Sequence, residues 1–334
     1  MMENVNSSKS TAKDSYSTGV NYLGYYNLLT VIIGSIFNII TFVVLCRPTF
    51  KNAQTRSTTH YMRALAVIDF IGLYGWNFDS YLNLIYGFTL FYTYTVASCK
   101  IFTFLNYFTL QTAAWLHVFV SFDRFLFLSN AKLNTWFNQS KNVLKIIGGI
   151  IVFFFLFNFH LLIFVCYEDS NGQVNVYSQY YNFFPAYELT HLVINNIIPS
   201  FLILSLNILS IYYLNRIRRT TRVQNSQIRH QAIAITLITT SFLFVITRTP
   251  TAIAYSFFSN YLYFTDSGAM VRLGFDFFSY IFPVLNFPLY LITFTDFRRE
   301  FIRLLLRKQR VLPVAIQTIR PTGVQMQQRN IPMK

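Results

Sequence analysis

An all-α membrane protein, built as a seven-transmembrane helix bundle, follows from three features of the sequence. The 334 residues are 54% hydrophobic and 19% aromatic but only 12% charged, and their mean hydropathy is +0.40. A soluble domain of this length needs far more charge on its surface. The apolar residues come in blocks of roughly 20, the length of helix that crosses the hydrocarbon of a bilayer. The basic residues, which give a formal net charge of +15, gather in short segments between alternate blocks. That is the pattern of membrane orientation and not of a nucleic-acid surface.

Residues 1–21 are polar and hold no apolar core. They read as an extracellular amino-terminal tail and not as a cleavable signal peptide, so the first span itself directs insertion. The transmembrane domain runs from 22 to 294. Span one covers about 22–46, "NYLGYYNLLTVIIGSIFNIITFVVLC". Span two covers about 60–86 and span three about 97–128. Both carry more polar residues than a lipid-facing helix should, and are expected to face neighbouring helices. Spans four to seven cover about 143–166, 189–214, 231–259 and 268–294. Residues 295–310 form a separate basic and apolar segment, and 311–334 a cytoplasmic tail. No internal repeat is evident, which weighs against the common transporter plans.

The loops give the orientation. Arg47, Lys51, Arg56 and Arg63 lie around the first connection; Lys132, Lys141 and Lys145 around the third. Arg216, Arg218, Arg219, Arg222 and Arg229 lie around the fifth, and Arg298, Arg299, Arg303, Arg307, Lys308 and Arg310 follow span seven. The opposite connections hold Lys100 and Arg272 against Glu168, Asp169, Glu188 and Asp266. The positive face is cytoplasmic, so the expectation is a plasma-membrane protein with its amino terminus outside and its carboxyl terminus inside.

Within this frame the stretch "FVSFDRFLFL", residues 119–128, ends span three at the inner boundary. Arg124 lies 25 residues beyond Cys99 (124 − 99), a helix length of about 37 Å. Asp123, next in the chain, is placed to hold Arg124 until something else competes for it.

These residues resemble the markers of the rhodopsin-like (family 1, class A) G-protein-coupled receptors, and the resemblance covers the chain from about 22 to about 310. In order they are "GSIFN" ending in Asn38, "LAVID" ending in Asp69, Cys99 and "DRF" on span three, Pro199 on span five and Pro250 on span six. Span seven ends in "NFPLY", with Asn286 and Tyr290, and Phe287 where the family has proline. "FTDFRREFIRLLLRKQR" is similar to the family's short amphipathic eighth helix. Single markers are weak, but their order and spacing across seven spans are specific. The resemblance implies a receptor that passes ligand binding to a heterotrimeric G protein, of the invertebrate neuropeptide-receptor type. It implies neither enzyme activity nor a cofactor. The histidines are scattered in depth, and no metal-ligand or nucleophile spacing appears.

The resemblance also implies roles. Asp69 should join Asn38 and Asn286 in a polar core that rearranges on activation. In the family this core often surrounds a sodium ion. Ala113 and Phe282 stand where the family usually carries polar groups, which argues against sodium here. Pro199 and Pro250 each remove a backbone donor and bend their helices, making levers. Arg124 should leave Asp123 to meet the G protein; His230 stands where some members carry a further acid. Cys99 should pair with Cys166. Cys46 faces the reducing cytoplasm, and Asn6 in "NSS" fits a glycosylation acceptor. Phe297, Phe301, Leu304 and Leu305 form the apolar face of a helix lying on the bilayer surface.

Arg248 departs from the family, since "TRTP" replaces the usual Cys-Trp-x-Pro. A permanently charged guanidinium inside a helix needs acceptors. Three readings stand open: pairing with Asp69 or Asp276, gripping an acidic group on the ligand, or hydration in a cavity without a signalling role. Asn106 replaces the aspartate of amine receptors, and Tyr280 replaces the retinal lysine of opsins. The mouth carries Trp76, Asp79, Tyr81, Tyr180, Tyr181, Glu188 and Asp276, a surface that suits a cationic or amidated peptide. Asp79, Asn106, Arg248 and Asp276 are the candidate ligand contacts. A chemosensory receptor for a small molecule is the alternative; a channel or transporter is more distant, because intramembrane charges are few.

Overall fold

The computed structural model describes residues 2–51, 56–90, 95–129, 134–137, 139–176, 184–220 and 225–306. It is a helix bundle: α1 (Met2–Leu45), α2 (Arg56–Gly75), α3 (Asn77–Tyr86), α4 (Val96–Ser129), α5 (Asn134–Phe137), α6 (Ser140–Phe164), α7 (Phe184–Leu192), α8 (Ile198–Thr220), α9 (Asn225–Phe264), α10 (Asp266–Tyr280), α11 (Phe282–Thr293) and α12 (Thr295–Leu305). Two short strands, β1 (Cys166–Glu168) and β2 (Val174–Val176), pair antiparallel with Cys166 opposite Val176.

Among the described residues five stretches are long and apolar enough to cross a membrane: Gly19–Leu45, Ser140–Phe164, Leu189–Arg216, Ile235–Phe258 and Met270–Thr293. The second and third expected spans are not among them, and burial gives the reason. On α4, Thr103, Thr109, Gln111, Thr112, His117 and Ser121 are all buried. They face protein, so this helix does not need an apolar surface. α4 packs against α2, α6, α8 and α9 and forms the centre of the bundle. Lipid-facing helices show the opposite pattern: Phe153 and Leu156 on α6, and Phe201 and Tyr212 on α8, are exposed.

Several expected spans differ in their boundaries or breaks. α1 is helical from Met2, well before the expected start at 22. Span two divides at Trp76, whose φ of −126° and ψ of −53° separate α2 from α3. Span seven divides at Ile281, where α10 ends and α11 begins with Pro283 in its first turn. Span four ends at Phe164, so Cys166 opens β1 and does not close the helix. In span five a π-helical turn, Val193–Ile197, precedes Pro199. The missing proline N–H and the widened turn occur together, as expected where a backbone donor is removed. In span six the non-helical residue is Phe258 (φ −119°, ψ 17°), not a residue beside Pro250; the break lies two turns beyond the proline.

The β1–β2 hairpin turns at Gly172, whose φ of 75° is left-handed and favours glycine. Asp169 Oδ1 accepts from the backbone N–H groups of Asn171 and Gln173, both at 2.9 Å. These bonds, the Gln173 one foremost, hold the Asp169 carboxyl below its ordinary value of 3.8.

α12 packs one face against span seven. Phe297 is fully buried, with its ring 5.9 Å from Phe287 and 5.7 Å from Tyr290. Phe301 lies 5.3 Å from Phe287. Leu305, expected on the same face, is exposed. The apolar face thus meets span seven, and Phe287, which also stacks on Phe37 at 4.5 Å, is the hub of that contact. Glu300, buried beside it, accepts from Arg303 Nη1 at 2.6 Å and from Thr49, and pairs with Arg47 at 3.7 Å.

Candidate functional site

A ridge of residues spaced three or four apart on α4 faces the bundle centre: Asn106, Leu110, Ala113, His117, Ser121 and Arg124. Its outer end is tied by a disulfide between Cys99 and Cys166. At its inner end Arg124 Nη2 donates to Asp123 Oδ2 at 2.7 Å, and Thr58 on α2 donates to the same oxygen at 2.9 Å. Arg124 is 1% exposed and Asp123 is buried, so the pair lies inside the protein and not at a snorkelling boundary. Arg124 Nε and Nη1 have no hydrogen-bond partner among the described residues. One turn outward, the Ser121 and Ser241 hydroxyls meet at 3.2 Å, joining α4 to α9.

At mid-depth, Asn286 Nδ2 donates to Asp69 Oδ2 at 2.9 Å, joining span two to span seven. Asn38 makes no hydrogen bond to Asp69. Its amide donates to Gly34 O at 2.9 Å and Pro283 O at 3.2 Å, so it fastens span one to the break between α10 and α11. Tyr290 is buried below, against Phe297. His117 lies between Phe244 (4.9 Å) and Phe282 (5.2 Å), and neither ring nitrogen has a partner among the described residues.

In the outer half, Arg248 shares a helix face with Ser241, Phe244 and Tyr255, and so points inward. Its guanidinium lies 5.2 Å from the centroid of the Tyr280 ring, a cation–π distance. The Tyr280 hydroxyl donates to Asn106 Oδ1 at 3.1 Å, and Trp76 stacks on the Tyr280 ring at 5.7 Å. Neither expected acid pairs with Arg248. Asp69 lies within electrostatic reach but not in contact. Asp276 accepts from the Tyr255 hydroxyl at 2.7 Å. Asp79 is buried and accepts from the Leu90 N–H at 2.5 Å, so one of its oxygens orders the loop after α3.

The polar residues along span three led to part of this arrangement but not to its partners. Gln111 accepts from Asn158 Nδ2 at 2.7 Å and meets His191 Nδ1 at 2.9 Å, while Tyr187 donates to Asn158. This network joins α4, α6 and α7. Its sequence signal is a Gln and an Asn inside apolar runs. Pro199 is buried in span five. Pro250 borders an apolar cavity of about 740 Å³ with Val245, Ile253, Val271 and Phe275. The side chains of Asn6, Glu188 and His230, and the residues Tyr180, Tyr181 and 311–334, lie outside the described residues. Among the described residues no three His, Cys, Asp or Glu side chains stand together as a metal site requires.

The chain is thus a multi-pass helical bundle with a buried polar ridge, an Asp–Arg pair at one end of it and a disulfide at the other. Residues 37–290 match the 7 transmembrane receptor (rhodopsin family), and the chain belongs to that family. No curated protein matches it in direct comparison.

Proposed function

We propose that the protein is a plasma-membrane receptor that converts binding of an extracellular peptide into activation of a heterotrimeric G protein. The observation that carries this reading is the inner end of α4. Arg124 is buried there, held by Asp123 beside it in the chain, and two of its nitrogens have no hydrogen-bond partner among the described residues. A guanidinium with unused donors next to a single carboxylate is poised to exchange partners. The basic segments around the first, third and fifth connections and after span seven belong to the same, cytoplasmic side. Asp69, Asn286, Asn38 and Tyr290 connect spans one, two and seven between that end and the outer half. Pro199, beside the π-helical turn of span five, and Pro250, which removes a backbone donor two turns before the break at Phe258 in span six, are the levers, and Asn6 carries a glycan on the extracellular tail.

The supporting test has two parts. Epitope tags at both ends should label only the amino terminus on intact cells. A peptide library applied with a promiscuous G protein should give ligand-dependent guanine-nucleotide exchange. Surface labelling of the carboxyl terminus, or substrate flux in vesicles lacking any G protein, overturns the reading.

A further inference from the structure

Arg248 is 9% exposed, and its Nε has no hydrogen-bond partner among the described residues. No carboxylate among the described residues stands within ion-pairing distance of it. A buried guanidinium is always charged and offers five donors in a plane, so leaving it without an anion carries a large desolvation cost. The carboxylates in the same region are engaged elsewhere, Asp69 with Asn286 and Asp276 with Tyr255. The other side chain that touches Tyr280 from α4 is Asn106. Its oxygen is occupied by the Tyr280 hydroxyl, and its amide nitrogen has no acceptor among the described residues. Arg248 and Asn106 therefore converge on one ring with donors unused, and the Trp76 indole stacks on that ring.

We propose that this cluster is a carboxylate site: the ligand places a free carboxyl group against Arg248 and the Asn106 amide, with an apolar or aromatic group against Trp76 and Tyr280. Two coplanar N–H donors of guanidinium match the two oxygens of a carboxylate. A protonated amine or an amidated terminus offers no anion to pair with the guanidinium. This deepens the receptor reading by assigning the ligand's chemistry, since the mouth acids Asp79 and Asp276 are engaged by Leu90 and Tyr255.

The test reads binding without signalling, so its failure is separate from failure of G-protein coupling. The full chain, purified in neutral detergent, is heated with N-acetyl-phenylalanine, with its neutral amide, and with a short peptide ending in a free phenylalanine carboxylate. The acid and the free-carboxyl peptide should raise the midpoint of unfolding saturably, and the amide should not. Stabilisation by the peptide alone would assign the carboxylate to a peptide terminus; stabilisation by both would admit a small acid. Arg248→Leu should abolish the effect, and Asn106→Ala should weaken the acid about tenfold, the size of one charge-assisted hydrogen bond. If Arg248→Leu does not fold, Asn106→Ala still decides. Equal stabilisation by acid and amide, no stabilisation by either carboxylate, or an acid effect unchanged in the variants overturns the proposal.

Discussion

Arg124 and Arg248 are both buried in the bundle, at 1% and 9% exposure, yet they are housed in opposite ways. Arg124 has a carboxylate at 2.7 Å on the neighbouring residue, and Thr58 braces that carboxylate from α2. Arg248 has an aromatic ring at 5.2 Å and, among the described residues, no acid in contact. The first charge is held by the protein itself. The second is only partly compensated, which is tolerable for a site that a ligand completes. The comparison teaches that burial alone does not say whether a charge is structural; its partners do.

The strongest way to break this comparison is to remove the partner of Arg124. Asp123→Ala leaves a fully buried guanidinium uncompensated, which costs about 3–5 kcal/mol. We expect a sharp fall in the thermal midpoint of the purified chain and in the yield of folded protein. An unchanged midpoint would mean that Arg124 is satisfied without Asp123. Arg248→Leu should move the ligand-free protein the other way. Replacing a poorly compensated buried charge with an apolar side chain of similar size should be neutral or stabilising by up to about 4 kcal/mol. A loss of stability would show that Arg248 has a structural partner after all.

A third buried charge sharpens the rule. Glu300 is 1% exposed and holds Arg303, Arg47 and Thr49, so it belongs with Arg124. Glu300→Gln should cost about 1.5–3 kcal/mol, the range for hydrogen bonds to charged groups, and should speed proteolysis between α11 and α12. Tyr280→Phe tests the other class more finely. It keeps the ring beneath Arg248 and removes only the hydroxyl bond to Asn106, so its cost should be about 0.5–1.5 kcal/mol. An effect as large as that of Asp123→Ala would contradict the view that the ring, not the hydroxyl, carries Arg248.

The smallest expected effect lies at the exposed hairpin. Asp169 titrates below its usual value because backbone N–H groups hold its ionised form. A depressed carboxyl contributes stability above its unfolded value of 3.8, and that contribution is lost as pH falls through the folded value. Protection of the Asn171 and Gln173 amides, measured against their intrinsic exchange rates, should therefore fall below about pH 4, and Asp169→Asn should remove that dependence.

Spans were legible in the sequence wherever a helix meets lipid, because lipid demands an unbroken apolar face. The inner Asp123–Arg124 pair was legible for a different reason: its partners are adjacent in the chain. The disulfide between Cys99 and Cys166 was carried by family resemblance, and the structure contains it. Asn38 was expected in a polar core with Asp69 and Asn286; that its amide bonds the backbone at Gly34 and Pro283 was not legible. That α12 is amphipathic was legible too; that Phe297 is buried against Phe287 and Tyr290 was not, because those partners lie on span seven.

By itself, then, the sequence determined the number of apolar blocks, the alternation of basic loops and the local charge pair, all of which depend on composition and near neighbours. Only the tertiary structure decided that Arg248 meets Tyr280 and neither of the acids expected for it, that Leu90 engages Asp79, and that Glu300 is buried. Those contacts depend on how helices rotate and on where Trp76, Ile281 and Phe258 interrupt them. A rotation of one residue, about 100°, carries a side chain to a different neighbour, and no pattern within a single span specifies that angle.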